Sequence, residues 1–227
     1  MQWVVVAACG VAVLGAIRRM RRSGEAEARG MYRRVAWLMG ISVWCAMLVQ
    51  EWTLWRSGQL SLQTGLPLHL CSAMGVLTLP MLLTESTFLW HAALYAGMPG
   101  AAIALLFPAV ADTAFPWLTQ AAFYTMHALI LLSPLLPLGL GRRPKPSGAW
   151  QAGTFLVMLG CIAMRVNRIL GGNYLFLAGG IPGTPLMRWA QGGIWQYRGT
   201  LAMVCALILA AEGVCVRAVQ RRYVKPL

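Results

Sequence analysis

The chain has 227 residues, of which 59% are hydrophobic and only 11% charged, with a formal net charge of +13. So little charge cannot cover the surface of a water-soluble domain of this length, and a polytopic membrane protein is expected. The basic residues stand in short runs between apolar spans, where they set orientation in a bilayer, and this argues against nucleic acid as a partner.

The chain opens with a short apolar span over residues 3–17. No basic residue precedes it and a dense basic run follows. That is the wrong flank order for a cleaved signal peptide, so a first helix with its N-terminus outside is expected. Residues 18–34 carry seven arginines against two glutamates, the strongest cytoplasmic marker in the chain. Span two covers about residues 35–55, with Glu51 near its far end. Span three is LPLHLCSAMGVLTLPMLL, residues 66–83, with Pro67 placed for a helix N-terminus and Thr64 as its cap. Span four covers 88–107 and is loosened by Gly97, Pro99 and Gly100. Span five covers 117–138 and holds Tyr124 and His127. Arg142, Arg143 and Lys145 follow in a Gly/Pro loop. Span six covers 149–170 and ends in Arg165, Asn167 and Arg168. A Gly-rich connection, GGNYLFLAGGIPGTP, leads to span seven over 189–216 and a basic tail.

The expected fold is therefore all-α: one transmembrane domain over residues 1–227, a bundle of seven helices in the cytoplasmic membrane. Its N-terminus lies outside and its C-terminus in the cytoplasm. Under this topology the inner segments hold fourteen basic residues and the outer loops only Arg56 and Arg188, a clear positive-inside bias. His69 and Cys71 then lie within about 10 Å of the outer boundary, and His127 about 15 Å in, with Tyr124 one turn above it. Glu51, Arg165, Arg168 and Arg198 reach the same outer half, while the inner half holds only His91 and Glu212. Unpaired charge in hydrocarbon is costly, so the arginines need partners, snorkel, or line a wet cavity, with Glu51 as the natural protein partner.

Each polar residue has a structural reading beside a functional one. The six cysteines, Cys9, Cys45, Cys71, Cys161, Cys205 and Cys215, fall in apolar spans with no CxxC pair and no zinc-type Cys/His spacing. Neither a disulfide framework, a metal site nor a cofactor is expected. Cys71 is either a small buried hydrophobe or a nucleophile, and a nucleophilic thiol needs a base. His69, two residues away, points roughly 200° from Cys71 on one helix, so His127 is the better base, though the reverse assignment stays open. His127 is otherwise a packing histidine bonded to a carbonyl or hydroxyl. Arg165, Arg168 and Arg198 either anchor lipid phosphates at the interface or hold the phosphate of a lipid substrate. Glu51 is a structural ion-pair partner or a substrate contact. Asn173 and Tyr174 lie in a re-entrant or lid-like loop, where Asn173 also suits a plain turn.

LPLHLC at the start of span three, the histidine of FYTMHALIL in span five, and NYLFL after span six together resemble the YwaF-like bacterial integral membrane proteins. That group is similar to the eukaryotic transmembrane protein 164 family, and the resemblance runs from about residue 51 to 195. It implies a membrane acyltransferase, in which an acyl chain leaves a diacyl phospholipid through a thioester on the cysteine matching Cys71. A more distant similarity is to membrane hydrolases of fatty-acid esters that use a Thr and a His.

Depth alone suits this chemistry, because phospholipid ester carbonyls lie just below the headgroups. Cys71 would attack, His127 would carry the proton, and Tyr124, Asn173 or His69 would supply an oxyanion donor. Membrane phospholipids are then the partners. A transporter or channel is the competing class, weakened by the small size and the lack of a repeat. A non-catalytic lipid-binding or assembly protein is the third.

Overall fold

The computed structural model describes residues 2–180, 188 and 191–223. The end of the Gly-rich connection, the expected start of span seven at residue 189, and Lys225 lie outside the described residues. Regular structure among the described residues is helical throughout. Among the described residues, six helical rods are long and apolar enough to cross a membrane, and a seventh apolar helix is shorter.

Helix α1 spans Gln2–Arg22 and α2 spans Glu25–Arg56, separated only by Ser23 and Gly24. The arginine-rich stretch is thus helical on both sides of a tight break. Glu25 and Glu27 sit in the first turn of α2, where acidic side chains complement the helix dipole, and Arg29 pairs with Glu25 one turn back. A stripe of Ala28, Tyr32, Ala36, Met39 and Val43 is buried at three-to-four-residue spacing, and the Tyr32 hydroxyl donates to the Leu82 carbonyl at 2.9 Å. These contacts carry the helix well upstream of the expected start at residue 35.

Helix α3 covers Leu70–Thr84, four residues later than expected. Pro67 and Thr64 do not open it. Residues 61–69 instead fold into turns, with the amides of Thr64 and Gly65 both on the Ser61 carbonyl and the Thr64 hydroxyl 3.1 Å from that of Ser61. Fifteen residues span about 22 Å, against about 30 Å of hydrocarbon. α3 lies close on α2 at small residues: a Cβ on Gly40 would stand 2.6 Å from the Leu79 side chain, and one on Gly75 would stand 2.5 Å from Met47 Sδ.

Span four is one rod in three parts. Helix α4, Thr87–Ala92, is capped by the Ser86 hydroxyl. A π-turn over Ala93–Gly97 follows, and then α5, Met98–Leu106. Pro99 has no amide hydrogen, and the π-turn absorbs the mismatch without breaking the rod.

Helix α6, Pro116–Leu132, starts on Pro116 and tightens into a 3-10 turn over Ser133–Leu140, ended by Gly141 at φ 76°. α7 covers Gly148–Leu170, closed by Gly171 at φ 70°, and α8 covers Ile194–Tyr223.

These elements form two compact units. One comprises Met1–Leu60 and Leu70–Arg143, and the other Ser61–His69 and Pro144–Leu227. In the first, α6 is the central post, packed by α1, α2, α3 and α5, so it is apolar on nearly every face. In the second, α7 packs on α8 and on a short 3-10 turn, Tyr174–Phe176. Within this unit, most of the surface of α7 and α8 stays uncovered by the described residues, as suits helices that face lipid.

Candidate functional site

The candidate residues divide between the units. Cys71, His127, Tyr124 and Glu51 belong to the first, and His69, Arg165, Arg168, Asn173, Tyr174 and Arg198 to the second.

Cys71 lies in the first turn of α3 and is half-buried. It faces the α5 segment of span four, where a Cβ on Gly100 would come within 2.9 Å of Leu70 Cδ2 and 4.0 Å of the Cys71 sulfur. Only glycine leaves this approach open. The thiol makes no hydrogen bond among the described residues, so no protein donor or acceptor competes for it.

His127 is 5% exposed on α6. Its Nδ1 lies 2.8 Å from the Phe123 carbonyl oxygen, and its ring packs on Phe123 at 4.1 Å between centroids. A carbonyl only accepts, so Nδ1 carries the hydrogen and Nε2 carries the lone pair. The packing role allowed for this residue in the sequence uses one ring nitrogen and leaves the other as a base. Tyr124 packs with Phe123 and Leu105 in one buried cluster, and its hydroxyl has no hydrogen-bond partner among the described residues. α3 and α6 pack against each other.

The second unit is organised by Asn167, which sequence reasoning left out of the candidate set. It is buried near the end of α7 and holds the backbone of Tyr174 from both sides. Its Nδ2 donates to the Tyr174 carbonyl at 3.0 Å, and its Oδ1 accepts from the Tyr174 amide at 2.7 Å. Tyr174 is fully buried. Its hydroxyl donates to the Leu62 carbonyl and accepts from the Leu66 amide, both at 2.9 Å. Three chain segments are thereby pinned together. Asn173 spans its own loop, donating to the Gly179 carbonyl and accepting from the Ala178 amide. Leu175 and Phe176 both take left-handed backbone angles, φ 54° and 58°, a conformation that non-glycine residues adopt at a cost. The loop so held places Tyr174 and Phe176 against the His69 ring, at 5.3 and 5.1 Å between centroids. The one clue in the sequence to Asn167 was an amide side chain just before a helix-ending Gly-Gly.

Beside this loop is a cleft of about 590 Å³, lined by Cys161, Met164, Arg165, Asn167, Arg168, Ala178 and Arg198. Arg198 donates through Nε to the Leu177 carbonyl at 2.8 Å and lies 5.1 Å over the Trp195 ring, which fixes the guanidinium and leaves its outer nitrogens for a ligand. Arg165 and Arg168 are exposed and have no ion-pair or hydrogen-bond partner among the described residues. The partnership expected for Glu51 is absent as well: the ion pairs among the described residues join Arg19 and Arg29 to Glu25, Glu27 and Glu85. No cluster of His, Cys, Asp and Glu suited to a metal occurs among the described residues.

A family model, that of the TMEM164 family, matches residues 1–211. No curated protein and no solved structure matches the chain.

Proposed function

The chain belongs to the TMEM164 family, and from that premise we propose that it is a multi-pass membrane enzyme that moves a fatty acyl chain from a phospholipid through a thioester on Cys71. The observation that carries this reading is the tautomer of His127. Its Nδ1–H is committed to the Phe123 carbonyl, so Nε2 is an acceptor on the helix that packs against the one bearing Cys71.

In the proposed cycle the Cys71 thiol gives its proton to His127 Nε2, and the sulfur attacks an ester carbonyl of the lipid. The tetrahedral intermediate collapses. The C–O bond breaks, the departing alkoxide takes the proton back from His127, and a lysophospholipid leaves. A second lipid hydroxyl then gives its proton to His127 and attacks the thioester, and the thiol is regenerated. With water in place of that hydroxyl, the same steps release a fatty acid. The reaction needs Cys71 Sγ within hydrogen-bond reach of His127 Nε2. Tyr124, with an uncommitted hydroxyl on α6, is the oxyanion donor we favour in the first unit. Asn173, Tyr174 and His69 act through position in this reading, since their polar atoms or rings are engaged within their own loop. Within the second unit, Arg165, Arg168 and Arg198 line a cleft of their own whose clustered guanidinium groups suit a lipid phosphate.

Cytoplasmic-membrane placement, seven crossings and an outer N-terminus belong to the same proposal, supported by the distribution of arginine along the chain. A second reading, small-solute transport, draws on Gln50 Oε1 in the first unit and, separately, Glu212 Oε2 in the second, each a buried polar atom with no hydrogen-bond partner among the described residues.

Intact-protein mass spectrometry after incubation in phospholipid vesicles tests the enzyme reading. A hydroxylamine-labile acyl adduct, with lysolipid released in step, is expected for wild type and not for Cys71→Ala. If neither variant carries an adduct and no lysolipid forms, acyl transfer is rejected, and uptake assays on Glu212→Gln vesicles take up the transport reading.

A further inference from the structure

We propose that Gln50 is a catalytic residue of the acyl-transfer site, its side-chain amide donating to the oxyanion that forms when Cys71 attacks an ester carbonyl. This role rests on the thioester reading. Helices α2 and α3 belong to one unit, run antiparallel, and are pinned together at three points. A Cβ on Gly40 would stand 2.6 Å from Leu79, and the Trp44 indole donates to the Val76 carbonyl at 3.2 Å. A Cβ on Gly75 would stand 2.5 Å from Met47 Sδ and 3.5 Å from Val43 Cγ1. Gln50 is three residues past Met47 and seven past Val43, so it continues the face of α2 that meets α3. Cys71 stands one turn before Gly75 on the same side of α3. In an antiparallel pair these steps, about 4.5 and about 6 Å, run in the same direction, so the two residues share one level to within about 2 Å.

The Gln50 amide is uncommitted. Its Oε1 is buried with no hydrogen-bond partner, and Nε2 has none among the described residues. The Thr53 hydroxyl, one turn on, gives its hydrogen to the backbone carbonyl of Gln50 at 2.8 Å and not to the amide. An aliphatic side chain of the same shape would fill this place at less cost. Buried polar groups are ordinarily satisfied, and one left open at the level of a nucleophile is available to a reacting ligand. A half-turn about the last side-chain bond exchanges the two ends of the amide, so its N–H₂ can be aimed either way.

Acyl chemistry calls for a donor of this kind. As the bond from Cys71 Sγ to the carbonyl carbon forms, the π electrons of the carbonyl move onto its oxygen. They return to the C=O bond when the ester C–O bond breaks. A neutral amide N–H stabilises that charge without exchanging a proton, which leaves proton transfer to His127. The apolar surroundings strengthen the bond, because little water competes for the oxyanion. Oxyanion holes take more than one donor, so Gln50 adds to Tyr124 and does not replace it. Gln50 lies six residues, about 9 Å, before the end of α2, which is the depth of ester carbonyls just below the headgroups.

Two reactions at Cys71 separate this role from a structural one. Acylation by a phospholipid builds an oxyanion, whereas alkylation by iodoacetamide is a simple displacement at carbon and builds none. Both are read on the full chain in phospholipid vesicles, as the rate at which mass is added to the Cys71 peptide. Gln50→Met and Gln50→Leu keep an apolar stem of similar size, lack the N–H donor, and leave no polar group unpaired, so the fold should hold. Both variants should slow acylation by about 10²–10³-fold and leave alkylation within about twofold of wild type. Acylation at the wild-type rate in both variants, or equal slowing of acylation and alkylation, overturns the role of Gln50 and leaves the thioester reading standing. No acylation in wild type, with alkylation proceeding, overturns that reading and the role of Gln50 with it.

Discussion

His127 shows how one side chain serves packing and chemistry together. The bond from Nδ1 to the Phe123 carbonyl sets the tautomer, and that choice makes Nε2 a base. Under the proposed mechanism, His127→Ala should slow acylation of Cys71 by roughly 10²–10⁴-fold, read as the rate of adduct formation, and the loss of the buried ring should also lower the thermal midpoint in detergent. Tyr174 gives a different prediction, because its hydroxyl closes two buried hydrogen bonds. Tyr174→Phe leaves the Leu62 carbonyl and the Leu66 amide without that partner and should lower stability by about 1–3 kcal/mol in detergent unfolding. An unshifted midpoint would show that water replaces the hydroxyl without loss. The residue types at both positions were visible in the sequence. Their partners were not, because Leu62, Leu66 and Asn167 are brought to Tyr174 only by the fold.

At the scale of elements, hydrophobic spacing located each described rod but misplaced several ends: α1 runs on to Arg22, α8 runs on to Tyr223, and α2 and α3 start elsewhere than expected. α3 begins at Leu70 because the hydroxyls and amides of residues 61–65 satisfy one another in turns, which competes with helix at Thr64. α2 begins ten residues early because a charged stretch with acidic residues at its start and an i,i+4 pair is a sound helix outside the hydrocarbon. The α2–α3 contact depends on Gly40. Gly40→Ala places a methyl group 2.6 Å from the Leu79 side chain and should cost about 1–3 kcal/mol. Adding Leu79→Ala should recover part of that loss, and a double-mutant cycle on unfolding midpoints reads the coupling. Strict additivity would mean that the two helices separate freely at this point.

For the whole molecule, the short α3 is the point on which topology turns. If α3 crosses, the 142–145 loop lies on the same side as the Ser23–Gly24 break. If it does not, every later loop changes sides. The basic residues of that loop favour seven crossings. A cysteine at Arg143→Cys, in a chain otherwise cleared of reactive cysteines, should therefore react with a membrane-impermeant maleimide only after the bilayer is opened, and one at Gln191→Cys should react at once. The reverse pattern would establish six crossings.

Composition, the apolar periods and the placement of arginine were enough to establish a helical membrane protein, the positions of its rods and, through LPLHLC, FYTMHALIL and NYLFL, its family. These are properties of single segments, set by the need of each to satisfy its backbone and bury or expose its own side chains in lipid. What tertiary structure alone decided is the pairing of groups distant in the chain. It gave Tyr174 to Asn167 and to the 61–69 turns, laid His69 on the Tyr174 and Phe176 rings, and opened the approach of Cys71 at Gly100. Such pairings depend on close packing between elements, and no local pattern of residue types encodes which partner a side chain meets.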